Sequence, residues 1–185
     1  RKIRIQRFTD FFEEVCEKVP VEVITESWFL ENLDETRFHF YDRLKRATDL
    51  LIVFVFAVPA AILGLFIAMA IILEGKSDVF YRQRRVKKAG ETFIMGKFSS
   101  MQRNAEALGP QWSGDQDPRV TMVGRLLRST HFDELPQLIP IFCGEMTFIG
   151  PRPERPEFVE MLKEKIPFYY QRFLVKPGLS GWAQI

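Results

Sequence analysis

One apolar block interrupts an otherwise mixed pattern of polar and hydrophobic positions. From Leu50 to Leu73 no residue carries a charge, a run of 24 positions. At ~1.5 Å rise per residue, such a helix reaches about 36 Å, enough for a hydrocarbon core of ~30 Å. Two features complicate a simple crossing. Pro59 lies inside the run with Gly64 shortly after it, and an interior proline removes a backbone hydrogen bond and bends a helix. Both flanks are basic, with Arg43, Lys45 and Arg46 before the run and Lys76, Arg82, Arg84 and Arg85 after it. A crossing segment usually concentrates its cations on the cytoplasmic side, whereas a segment that bends and leaves by the same face carries them at both ends. Composition alone leaves the spanning and re-entrant readings open. It disfavours a buried core helix, which would need a larger soluble domain around it.

The remaining pattern predicts small elements. Thr9 to Val15 reads as a short helix capped by Thr9 or Asp10 and stopped by Pro20. Val21–Ile24 suits a short strand, and Ser27–Leu30 is an apolar patch. After the block, Val79–Gln83 and Thr92–Met95 read as strands joined by a Lys87–Gly90 turn. Glu106–Pro118 is loop-like, and helical periodicity resumes over Val120–Leu127. Pro136 and Pro140 cut Leu135–Phe142 into short apolar pieces suited to a membrane interface. Glu157–Lys165 predicts an amphipathic helix ahead of Pro167. The chain is therefore read as α+β and mainly helical, with a short β-hairpin.

Charge changes the picture by position, not by sum. The 26 Lys and Arg nearly balance the 24 Asp and Glu, which argues against a nucleic-acid coat. The two cysteines, Cys16 and Cys143, have no metal-type spacing and read as reduced thiols. His39 and His131 likewise read as structural. The chemistry concentrates at Asp133-Glu134, bounded by Phe132 and Leu135-Pro136. Arg119, Arg125 and Arg128 precede the pair, and Arg152 and Arg155 follow it. Carboxylates held against guanidinium groups are expected to keep a low pKa and stay ionised, as a nucleophile or metal ligand must. The arginines suit phosphate oxygens. Gly150-Pro151-Arg152-Pro153-Glu154 could hold Arg152 rigidly, and Lys97 follows the second strand as a further candidate phosphate contact. Read singly, the pair also fits a solvated helix face, Lys97 a surface lysine and the proline segment an ordinary loop.

Taken together, several segments resemble the bacterial sugar transferase family, the monotopic polyprenyl-phosphate phosphoglycosyl transferases. They are Lys45-Arg46 through Asp49, Val79–Gln83, Lys97-Phe98 with Met101, Asp117–Thr121 through Gly124, Asp133–Gln137, Gly144–Met146 with Gly150–Glu154, and Pro177–Gln184, in family order. The lead-in resembles the segment before the catalytic part of long, exopolysaccharide-type members. The resemblance implies residues 1–42 as lead-in, 43–75 as a re-entrant membrane helix broken near Pro59, and 76–185 as a small cytosolic globular catalytic domain, continuing in the family past this end. Localisation at the cytoplasmic face of the bacterial inner membrane follows from it. So does a two-step reaction in which Asp133 takes a phosphosugar from a UDP-sugar, releasing UMP, and polyprenyl phosphate then accepts it. Glu134 would ligate magnesium, and Lys97, Arg152, Arg119 and Arg128 would bind phosphate. Membrane lipid would be a partner, nucleic acid would not, and a homo-oligomer is compatible with the resemblance.

Three positions depart from the family pattern. Val58 stands where a Ser precedes the proline, Ser99 where a basic residue follows Lys-Phe, and Lys176 where Arg precedes Pro-Gly. None touches Asp133 or Glu134. The reading from a different class is a membrane-attached interaction domain without catalysis, with the carboxylates solvated. A further enzyme reading uses metal-activated water in place of a covalent intermediate.

Overall fold

The computed structural model describes residues 8–16, 35–105 and 117–181. The expected strand at 21–24, the apolar patch at 27–30 and most of the 106–118 loop lie outside them. The first helix, α1, covers Phe8–Cys16, close to the segment expected from its capping pattern.

Helix α2 runs from Glu35 to Glu74 and contains the entire apolar block. It is long and apolar enough to cross a membrane, judged by length and composition. Pro59 lies inside this helix and not at its end, so the break expected there is not an interruption of the helical residues. The packing along α2 is discontinuous all the same. Asp49 and Val53 are buried against the rest of the molecule, and so are Ile67 and Ile71. Between these two groups the six residues 54–59 are all exposed. Six residues turn through well over a full circle of helix, so around Pro59 every face is turned away from the protein. Apolar side chains left bare on all sides are stable in lipid and costly in water. Gly75 ends the helix in the left-handed region (φ 69°), its N–H bonding the Ile71 carbonyl, as helix C-termini commonly do.

The chain then forms the expected hairpin. Strands β1, Phe80–Val86, and β2, Thr92–Phe98, pair antiparallel with Tyr81 opposite Lys97 and Gln83 opposite Met95. Ala89 and Gly90, both at positive φ, make the turn. Strand β2 organises both parts of the core. Phe93 and Met95 pack with Val53, Ile141 and Met146, while Phe98 packs with Ile67, Ile71 and Leu127. The two arms of α2 thus rest on one strand.

Helix α3, Met122–Thr130, begins at Thr121, whose hydroxyl accepts the Gly124 N–H. A 3-10 segment, Phe132–Gln137, follows it, then helix α4, Leu138–Cys143. Met122, Leu126, Ile139 and Phe142 point outward and are exposed. Helix α5, Pro156–Lys165, has its proline in the first turn and ends near the expected position. Two pairings among the described residues were not foreseen: a parallel bridge of β3, Thr147–Ile149, with β4, Gly178–Ser180, and an isolated antiparallel bridge between Met101 and Val120.

Candidate active site

Strand β2 and the 3-10 segment face each other across the hairpin, and this contact assembles the site. Helix α3 ends on His131, an exposed residue in the left-handed conformation (φ 59°, ψ 16°). That conformation turns the chain sharply, and histidine is among the side chains that tolerate it. The turn sets Asp133 and Glu134 in the next short element, above Lys97. The Lys97 ammonium donates to the Glu134 carboxylate in a close ion pair, with both side chains mostly buried.

An open cavity of about 390 Å³ lies beside this pair. Lys97, Arg119, Arg128, Asp133 and Arg152 all line it. Glu134 lines a small adjoining recess with Lys97 and Arg152. The six residues to which the resemblance gives a role therefore meet at one place, although they come from five separate elements and loops. Of the other two flanking arginines, Arg125 is exposed and Arg155 donates to the Tyr81 hydroxyl, and neither lines the cavity.

Their engagements differ. Arg128 donates through Nε to the Ser100 hydroxyl at 2.9 Å, which fixes its guanidinium against the cavity wall. Arg119 is occupied: its Nε and Nη2 grip the Asp117 carboxylate at 2.8 and 2.5 Å, and its Nη1 donates to the Ala105 carbonyl. This fork pulls the Asp117 carboxyl down to about 2. Arg119 thus braces the wall more than it offers a vacant fork.

Arg152 is held through its backbone. Its carbonyl accepts from Arg172 at 2.6 Å, and Arg85 donates to the neighbouring Pro153 carbonyl at 2.9 Å. On the other side, Gly150 and Gly178 approach so closely that a Cβ on Gly178 would lie 2.1 Å from the Gly150 nitrogen. Only two glycines permit the bridge that pins the Pro-Arg-Pro segment.

Asp133 was expected to keep a low pKa among arginines. Burial instead pushes its carboxyl above the ordinary value, with Lys97 opposing and Glu134 adding to the rise. The cations are spent elsewhere: Lys97 on Glu134, Arg119 on Asp117, Arg128 partly on Ser100.

For magnesium, no cluster of three or more acidic, histidine or cysteine side chains exists among the described residues. That ion is commonly held by one or two carboxylates, with substrate phosphates and water completing the shell. Asp133 and Glu134, adjacent in the chain with Asp133 on the cavity, meet that requirement once Glu134 shares its bond to Lys97.

Sequence reasoning passed over Tyr81, Gln83 and Ser100, which also line the cavity. The strand alternation could have found the first two, since the register puts Tyr81 directly beside Lys97.

The family model for bacterial sugar transferases matches residues 40–185. The chain belongs to the bacterial sugar transferase family. Among similar proteins is a UDP-N-acetylgalactosamine-undecaprenyl-phosphate N-acetylgalactosaminephosphotransferase of Aeromonas hydrophila, 44% identical over 146 residues, covering 78% of this chain and 34% of that protein. A UDP-glucose:undecaprenyl-phosphate glucose-1-phosphate transferase of Escherichia coli is 37% identical over 142 residues, 77% of this chain and 31% of the other. The exopolysaccharide production protein PSS of Rhizobium leguminosarum is 34% identical over 146 residues, covering 77% and 73%. The chain spans about a third of the length of the first two of these sugar transferases.

Proposed function

We propose that this chain carries the catalytic part of a phosphoglycosyl transferase, moving a sugar-1-phosphate from a UDP-sugar to undecaprenyl phosphate in the first membrane step of exopolysaccharide or related glycoconjugate assembly. The gathering of Asp133, Lys97, Arg128 and Arg152 around one open cavity carries this reading. The names of the relatives support the acceptor and the reaction class.

Asp133 is the nucleophile. One carboxylate oxygen attacks the β-phosphorus of the UDP-sugar, the bond from that phosphorus to the bridging oxygen breaks, and UMP departs with the bridging oxygen. A phosphate oxygen of the polyprenyl acceptor then attacks the same phosphorus and frees the Asp133 carboxylate, giving polyprenyl-diphosphate-sugar. Phosphoryl transfer of this kind asks mainly for positioning and charge stabilisation. Lys97, Arg128 and Arg152 supply cationic charge around the diphosphate, and Lys97 favours the ionised form of Asp133 against burial. Magnesium, held by Glu134 beside Asp133, would neutralise diphosphate charge when bound.

The apolar helix acts as a re-entrant, monotopic anchor in the inner membrane, with the site at the cytoplasmic face. Its two bonded ends support this. Asp49 accepts from the Thr147 hydroxyl and the Phe148 N–H, while Glu74 accepts from the Met122 and Val123 N–H groups. Both ends of the block are tied to one folded unit.

The test uses full-length protein in membranes and measures UMP release from a panel of UDP-sugars. Denatured reaction samples are then searched by mass spectrometry for a phosphosugar on the peptide containing Asp133. Asp133→Asn is expected to abolish both signals while remaining membrane-bound. Retained UMP release in that variant would defeat the assignment.

A further inference from the structure

The ligand-free site holds a conflict. Lys97 is committed to Glu134, yet the proposed transfer asks Lys97 for charge on the diphosphate. Releasing Lys97 leaves a mostly buried carboxylate, which is costly unless another donor takes it over. The recess beside the pair contains such a donor.

Gln137 closes the 3-10 segment and is only 2% exposed. It stands three residues after Glu134, and side chains at that spacing eclipse one another in a 3-10 helix. Both line the recess, together with Lys97, Arg152 and Arg85. Among the described residues the Gln137 amide donates to none, although buried polar groups are nearly always bonded. Arg85 repeats the pattern. Its Nη1 donates to the Pro153 carbonyl, while its Nε is buried without a partner. Two residues with unused donors thus border a space of about 10 Å³. That is room for about one water molecule, and for no phosphate or sugar. Among the described residues Glu134 is the only acid on its wall. These donors therefore suit a side chain of the protein itself and not the substrate.

We infer that Gln137 and Arg85 form a second seat for the Glu134 carboxylate, which moves to it when Lys97 turns to the substrate diphosphate. Gln137 is then a positioning residue: it touches no substrate, but it sets the cost of freeing Lys97. The inference rests on the UDP-sugar reading of the cavity, and a binding measurement tells the two apart.

The test titrates UDP into detergent-solubilised full-length protein by calorimetry, so that no transfer step is needed. Gln137→Met keeps the side-chain volume and removes the donor. It is expected to weaken UDP binding about tenfold. Without ligand it should melt no lower than wild type, because the amide has no donated bond to lose. In a Lys97→Met background there is no ion pair to break, so the same substitution should leave UDP affinity unchanged. A merely structural Gln137 would weaken binding equally in both backgrounds, and that result would overturn the seat. Undiminished UDP affinity in Gln137→Met would overturn it as well, and so would a fall of several degrees in its ligand-free melting. A wild type that binds no UDP would instead defeat the nucleotide reading of the cavity, and the seat with it.

Discussion

Asp133 sits in an environment that favours its neutral form, although the proposed chemistry needs the charged one. Its folded pKa is raised above the value of the unfolded chain, so ionisation at neutral pH costs folding stability. That cost declines as pH falls below the raised pKa and is gone below the ordinary aspartate value. Asp133→Asn removes it outright, so at pH 7 this variant should melt no lower than wild type. Its UMP release should fall by about a thousandfold or more, as for other lost nucleophiles. Paired melting and activity measurements check both halves; a variant that unfolds would refute the electrostatic account. The same logic fixes a pH dependence. UMP release should fail as pH drops through the Asp133 pKa, on an acid limb above the ordinary aspartate value of about 3.9. Lys97 opposes the rise, so Lys97→Met should move that limb to higher pH as well as slow the reaction. A limb in the same place for both proteins would show that Lys97 does not tune Asp133. Residue identity was legible in the sequence at this scale, because acids and arginines bounded by apolar residues stand out. The sign of the Asp133 shift was not. It depends on where each guanidinium spends its hydrogen bonds, and Arg119's engagement with Asp117 and Ala105 appears only in three dimensions.

Helix α3 is the element that connects the apolar helix to Asp133, the proposed nucleophile. Glu74, at the end of the apolar helix, accepts from its first backbone N–H groups, and its far end turns directly into Asp133. In its first turn, Gly124 presses on the backbone of Ser100, where a Cβ would lie 2.0 Å from the carbonyl oxygen. Ser100 in turn accepts from Arg128. Gly124→Ala must therefore push α3 off the Ser100 segment. Overpacking against backbone belongs at or beyond the upper end of about 1–3 kcal/mol, a fall of roughly 6–12 °C in melting temperature. UMP release should drop with it. Gly64→Ala is the matched control, because its Cβ meets only the Phe98 ring at 3.4 Å and alanine is the better helix former. Equal melting of both variants would show that the Gly124 contact does not govern α3. The helix and hairpin were readable from period and turn chemistry, which are local. The β3–β4 bridge joins segments about 30 residues apart and three residues long, too short to leave a pattern. The glycines that make it possible, Gly150 and Gly178, look in the sequence like ordinary turn residues.

At the scale of the whole molecule, the question is how one 24-residue apolar run can belong to a unit that touches both of its ends. A helix crossing the bilayer would place Asp49 and Glu74 on opposite sides of a core ~30 Å thick. Their partners, Thr147 and Met122, belong to one compact unit whose hairpin packs on both arms of the helix. Keeping every one of these bonds in a crossing geometry would bury that unit, with its charged cavity, inside hydrocarbon, at a cost of several kcal/mol for each unpaired polar group. A helix that dips with Pro59 foremost keeps all of them and gives lipid to the bare residues 54–59. The expected outcome follows for a protein in which Cys16 and Cys143 have been replaced. Cysteines introduced at Asp42 and Asp78, both at exposed ion pairs, should react with an impermeant thiol reagent from the same side of sealed inner-membrane vesicles. A third cysteine at Val58 should stay unreactive from either side while the helix is in lipid. Labelling of positions 42 and 78 from opposite sides would mean that the helix crosses, and the Asp49 and Glu74 bonds could not then both exist in the membrane.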